Sequence, residues 1–185
     1  TDPANNTPSY DYDPAGRLLW EKNALNQYTR YAYNDRGQVV HIWGDTSYPV
    51  MFAYNQYGDQ ASMWTFRSNA VWNGPDWPQN ISGDQTSWNY DPATGLLLSK
   101  TDAAGKAVTY TYSPDGQLTR RTWARGLQTD FEYNHLRQLT KIDYADETSD
   151  VTYIYNRLGQ PVTITDAAGT RTFGYNTTFD LTSET

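Results

Sequence analysis

His41 and His135 are the only imidazoles in the chain. Imidazole is the commonest general base near neutral pH and a frequent metal ligand, so each is weighed first. His41 alternates with Val39 and Trp43, the spacing of one face of a strand, and reads as strand packing. His135 falls in a turn whose counterparts carry Gln56, Pro114 or Arg157, and reads as a surface position. The chain has no Cys, which removes disulfides, thiolate nucleophiles and His–Cys zinc sets together. No Gly-rich loop followed by Lys opens a helix to cradle a phosphate. Asp143, Asp146 and Glu147 crowd one segment and could hold a cation weakly, but a solvated acidic loop is the plainer reading. No catalytic constellation, cofactor site or metal site emerges, so the expectation is a chain that does no chemistry of its own.

The aromatic residues carry the stronger pattern. Tyr10-Asp11-Tyr12-Asp13, Tyr31-Ala32-Tyr33-Asn34 and Phe52-Ala53-Tyr54-Asn55 share one form: aromatic, any residue, Tyr, then Asp or Asn. Trp88-Asn89-Tyr90-Asp91, Phe131-Glu132-Tyr133-Asn134, Tyr153-Ile154-Tyr155-Asn156 and Phe173-Gly174-Tyr175-Asn176 continue it, and Tyr110-Thr111-Tyr112-Ser113 varies it. The markers Tyr12, Tyr33, Tyr54, Tyr90, Tyr112, Tyr133, Tyr155 and Tyr175 are separated by 21, 21, 36, 22, 21, 22 and 20 residues. A fixed period of this length is the signature of a repeat architecture. Residues 1–185 therefore read as one array of about eight units.

Each unit must supply two strands and two turns. Val108, Tyr110 and Tyr112 share one face, Ala107, Thr109 and Thr111 the other, and Val151, Tyr153 and Tyr155 repeat the scheme. The Asp or Asn after the marker opens a turn, because its side chain accepts from backbone N–H groups two residues on. Gly16, Gly37, Gly58, Gly95, Gly116 and Gly159 stand where the chain must turn left-handed. At the same place Arg137 and Phe179 replace Gly, so those two turns are less well marked. A second turn follows about ten residues later, as in Asp102-Ala103-Ala104-Gly105 and Asp166-Ala167-Ala168-Gly169. The product is an all-β string of about fifteen short strands. Stacking of the marker rings from repeat to repeat would add roughly 0.5–1.5 kcal/mol per pair.

One interval is too long. Residues 67–87 are rich in Gly, Pro, Asn and Ser and read as a loop inserted between the third and fourth units. It carries Trp72 and Trp77, for which two readings stand: rings folded back to cap the sheet, or an exposed platform for a glycan. Asn80-Ile81-Ser82 and Asn176-Thr177-Thr178 match glycosylation sequons, a weak signal.

Sixteen Tyr and seven Trp supply the apolar area that scarce Leu, Ile, Val and Phe do not. A formal charge of −7 argues against nucleic acid or an anionic membrane as partner. No apolar run reaches bilayer-spanning length, and the N-terminus shows no signal-peptide pattern. Repeat-like text runs to both ends, as expected of a piece of a longer chain. Its outer strands would then expose unpaired edges prone to self-association.

The unit resembles the YD repeat of the Rhs family, most closely in Tyr12-Asp13-Pro14-Ala15-Gly16-Arg17-Leu18 and in degraded form over almost the whole chain. Members include bacterial Rhs polymorphic toxins, the B and C components of insecticidal toxin complexes, and teneurins. The resemblance implies a curved antiparallel strip of hairpins, a segment of a hollow β-shell around a cargo domain. It implies secretion or cell-surface display, and partners that are the rest of the shell and its cargo. Carbohydrate binding is an attribute long attached to such repeats, and the Trp-bearing loop would be its place.

Overall fold

The computed structural model describes residues 7–67 and 72–185. All its regular elements are strands, and no helix occurs among the described residues. One compact unit comprises the described residues up to Asn89 with Thr101–Gly105, the other Tyr90–Lys100 with Lys106–Thr185. The first is built on β1 (Ser9–Tyr12), β2 (Leu18–Lys22), β3 (Tyr28–Tyr33), β4 (Val39–Gly44), β5 (Val50–Tyr54), β6 (Gln60–Thr65) and β7 (Asp84–Tyr90). The second is built on β8 (Leu97–Thr101), β9 (Ala107–Tyr112), β10 (Leu118–Thr122), β11 (Gln128–Tyr133), β12 (Leu139–Tyr144), β13 (Val151–Tyr155), β14 (Pro161–Asp166), β15 (Gly169–Tyr175) and β16 (Leu181–Glu184). Within each unit the strand order is the order of the chain, and sequential neighbours pair antiparallel.

The sequence reading stops one strand short. After Tyr175, Asn176–Asp180 turns the chain and β16 returns along β15, with Phe173 opposite Glu184 and Tyr175 opposite Leu181. Polar, exposed Thr182-Ser183-Glu184 has no alternation of apolar residues to announce a strand.

The inserted loop is also shorter than expected. Residues 84–87, read as loop, belong to β7 and pair with β6 in the register Thr65–Asp84 to Ser62–Ser87. Their backbone groups complete the ladder that β6 offers, which a composition of Asp, Gln, Thr and Ser does not advertise. Arg67 closes the base of the loop on Asp84 at 2.9 Å. Residues 68–71 lie outside the described residues.

Side chains are mostly half-covered, and among the described residues the buried hydrophobic ones are Trp43 on β4 and Phe66 just after β6. Without a thick core, stability falls to cross-strand pairs, turns and backbone hydrogen bonds.

The marker turns follow one plan. Gly116 N–H donates to Ser113 O at 2.9 Å, and Ser113 N–H to Gln117 O at 2.8 Å. This is a three-residue hairpin loop whose last member is left-handed. Arg137 and Phe179 make the same turn without Gly, at φ 64° and 69°. Gly116→Val is therefore expected to cost about 1–2 kcal/mol from backbone strain alone, since space around it is open. Arg137→Gly should stay within about 1 kcal/mol of the parent, on the stabilising side. Urea midpoints of the two variants check this, and equal shifts would overturn the alignment of the turns.

Candidate functional site: the interface between repeats

Opposite the markers the ladder carries a repeated irregularity. Asp11 faces Trp20 while Tyr12 faces Leu18, so Leu19 is an extra residue, a β-bulge. The same step makes Val40 the extra residue beside the Tyr33–Val39 pair, Ala61 beside Tyr54–Gln60, Thr119 beside Tyr112–Leu118 and Thr140 beside Tyr133–Leu139. Val162 and Thr182 complete the series as the extra residues beside the pairs Tyr155–Pro161 and Tyr175–Leu181. A bulge disrupts the ladder and leaves backbone groups in need of partners.

The marker tyrosines supply them. Tyr33 Oη donates to Leu18 O at 2.8 Å, and Leu18 is the residue facing the previous marker, Tyr12. Tyr54 reaches Val39 O at 2.8 Å, Tyr112 reaches Leu97 O at 2.9 Å, and Tyr133 reaches Leu118 O at 2.9 Å. Tyr155 reaches Leu139 O at 2.8 Å, and Tyr175 reaches Pro161 O at 2.9 Å. Each of these six hydroxyls thus ties its own hairpin to the strand before, five of them at a described bulge. This replaces the expected ring ladder: among the described residues, the Tyr rings that stack are Tyr153 and Tyr155, neighbours on one strand at 6.5 Å. Tyr12 is half-exposed on β1, and Tyr90 ends β7.

Burial raises the hydroxyl pKa of Tyr54, Tyr112, Tyr133 and Tyr155, with Tyr110 and Tyr153 adding to the effect on Tyr112 and Tyr155. A raised folded value means the clamp is fully present below the ordinary phenol value, about 10, and is lost as pH rises through the folded value. Each of Tyr112→Phe, Tyr133→Phe and Tyr155→Phe should cost about 1–2 kcal/mol, because a carbonyl loses its donor. The triple variant should also unfold with a flatter dependence on alkaline pH, read by circular dichroism.

A second set of bonds ties the turns together. Asn34 Oδ1 accepts from the N–H groups of Arg36 and Gln38, each at 3.0 Å, and Asn34 Nδ2 donates to Gln38 Oε1 at 3.1 Å. The residue four positions on matches the opener chemically. Asn134 and Asn156 pair with Gln138 and Gln160, while Asn55 and Asn176 pair with Asp59 and Asp180. Asp13 takes Arg17 instead, Nε to Oδ2 at 2.6 Å. Backbone donation from Arg17 is the main cause of the lowered Asp13 pKa. The matching residue then reaches the next turn: Gln38 Nε2 to Gly58 O at 2.8 Å, Gln117 Nε2 to Arg137 O at 3.0 Å, and Gln160 Nε2 to Phe179 O at 2.9 Å. The Asn–Gln spacing was visible in the sequence. Its meaning needed the side-by-side placement of the turns.

These residues share one order, which the Rhs repeat family model matches over residues 90–123 and 112–149. Residues 90–149 thus carry Rhs repeats. In the crystal structure of TcdB2-TccC3 without hypervariable C-terminal region, a similar fold covers 96% of this chain at 20% identity and a TM-score of 0.52. The crystal structure of TcdB2-TccC3-Cdc42 gives 96% coverage, 16% identity and a TM-score of 0.45. The chain spans 12% and 13% of those two chains.

The other sequence candidates occupy plain positions in the hairpins and the inserted loop. His41 stacks on Trp77 at 4.3 Å, and burial lowers its pKa. His135 is exposed at a turn tip. Lys141 Nζ bonds Asp143 at 3.1 Å and Asp150 at 2.9 Å, while Asp146 faces Arg125 at 3.5 Å. Lysine thus sits where a cation was considered, and no group of ligands able to hold a metal occurs among the described residues. Trp72 and Trp77 lie 5.3 Å apart, edge to face, and both pack on Phe66, at 5.5 and 5.3 Å. Trp77 also meets Trp43 at 5.8 Å, and Trp43 Nε1 donates to Gly74 O at 3.2 Å. The rings of the insertion are engaged with the face of the sheet. No described helix is long and apolar enough to cross a membrane.

Proposed function

We propose that this structural repeat module is a wall segment of a β-shell that encloses a cargo domain in a secreted or surface-displayed, toxin-related protein. The observation that carries the reading is the clamp of marker hydroxyls onto the bulge of the preceding hairpin. A device that joins six of the eight marker hairpins to the strand before suits a wall. The fold shared with TcdB2-TccC3 over nearly the whole chain supports it. On this reading the wall itself does no chemistry, and the outer edges of β1 and β16 are joining surfaces for further hairpins or a second chain.

Limited proteolysis of the intact gene product tests it. The expected result is an internal domain that resists digestion in the parent and is cut in the triple variant Tyr112→Phe, Tyr133→Phe and Tyr155→Phe. An internal domain digested equally fast in both would overturn the enclosing role.

A further inference from the structure

The marker turns of the second unit carry side chains that the turns do not need. Counting the Asp, Asn or Ser opener as first, the chain places Ala15, Arg36 and Asp115 at the third position of the turn in three repeats, and an exposed Tyr57 in a fourth. In the last three repeats it places Leu136, then Leu158, then Phe179 one position further on. Their exposures are 70%, 64% and 58%. None contributes to a core, and Phe179 holds φ 69°, a conformation that a bulky side chain resists. Local rules broken without a gain in packing mark function more often than accident.

These tips stand side by side. Gln160 Nε2 bonds Phe179 O, and Gln138 Nε2 lies 2.8 Å from where a Cβ on Gly159 would be. Consecutive tips are two strands apart, about 10 Å. A helix rises about 10.5 Å in seven residues. A strand laid across the tips would present same-face residues about 6.8 Å apart, and so would miss the spacing. Cations flank the apolar row: Arg137 and Arg157 are exposed on the first two tips, with His135 beside them. Arg137 shares its charge with Asp115 at 3.2 Å, and Asp180 on the third tip is already bonded by Asn176 and Thr178.

We propose that this edge of the second unit is a docking surface for an amphipathic helix with an apolar residue at every seventh position and acidic residues flanking them. The helix lies across the turn tips, one apolar side chain to each of Leu136, Leu158 and Phe179, with its carboxylates towards Arg137 and Arg157. This role is separate from enclosure and stands whether or not the sheet forms a shell wall.

The test is fluorescence anisotropy of a labelled synthetic helix of about three heptads, Leu at each heptad start and Glu beside it, titrated with the 185-residue chain. Binding should weaken about tenfold or more in Leu136→Ser with Leu158→Ser, and again in Phe179→Gly. Phe179→Gly should hold or raise Tm, since Gly accepts the left-handed turn, which separates lost binding from lost folding. A Lys-flanked or scrambled helix that binds equally well would overturn the proposal. Competition by phosphatidylcholine vesicles would overturn it in favour of a membrane surface. Concentration-dependent light scattering that vanishes in Leu136→Ser with Leu158→Ser would overturn it in favour of a second copy.

Discussion

Gly44→Ala is expected to lower the stability of the first unit by about 3–5 kcal/mol, far more than Gly→Ala at any marker turn. Gly44 ends β4 opposite Thr29 with φ 141°, and a Cβ there would lie 2.0 Å from Tyr28 O and 2.8 Å from Tyr28 C. Both neighbours are backbone, so no side chain can swing aside. Relief requires β3 and β4 to part where Asp45 N–H donates to Tyr28 O at 2.8 Å and Tyr28 N–H donates to Asp45 Oδ2 at 2.9 Å. The adjoining Thr29 Oγ1 to Thr46 Oγ1 bond at 2.8 Å would go with them, exposing a buried Thr. Gly16→Ala is the control. Its φ is 79° and nothing stands within 4 Å of the added Cβ, so strain of about 1–2 kcal/mol is the whole effect. Urea denaturation of the two variants distinguishes a steric cost from a conformational one. Equal midpoints would mean that the approach of β3 to β4 is looser than the structure has it.

The contrast between those glycines shows what could be read without coordinates. Gly16 announces itself, because Gly recurs four residues after five of the eight markers and here follows Asp13-Pro14-Ala15, so turn chemistry names its role. Gly44 belongs to no recurrent phrase, and its necessity comes from a carbonyl sixteen residues earlier. The strands, the marker turns and the likeness to Rhs repeats were legible for the same reason: alternation and turn residues act over a few positions and were repeated. The hydroxyl clamp was not, although its residue was the plainest in the sequence. Tyr recurring at a strand end suggested stacking, whereas the bulge that creates a needy carbonyl depends on the register of a neighbouring strand. The end of the inserted loop was missed on composition, since Asp84 to Ser87 looks like loop until β6 is beside it. Arg137 and Phe179 were doubtful turns by residue type and full turns by geometry, because Asn134 and Asn176 supply the acceptor that directs the chain.

Trp77→Ala is expected to cost about 2–4 kcal/mol and to release the inserted loop from the sheet. Its ring meets His41 at 4.3 Å, Phe66 and Trp72 at 5.3 Å each, and Trp43 at 5.8 Å, so one truncation removes four ring contacts. Trp43 and Phe66 are the buried hydrophobic side chains of the fold, and both lose cover together. Trp72→Ala should cost less, because that ring touches Phe66 and Trp77 but not the β4 face. The histidine gives a second readout. Burial lowers the His41 pKa, so the stability tied to neutral, stacked His41 is present above the ordinary value near 6.5 and is lost as pH falls through the lower folded value. In Trp77→Ala water reaches the imidazole, its pKa climbs back towards 6.5, and the acid limb of the stability profile flattens. Nuclear magnetic resonance titration of His41 in the parent and the variant measures the shift. A His41 pKa unchanged by the substitution would show that the sheet, and not the inserted loop, keeps water from this site.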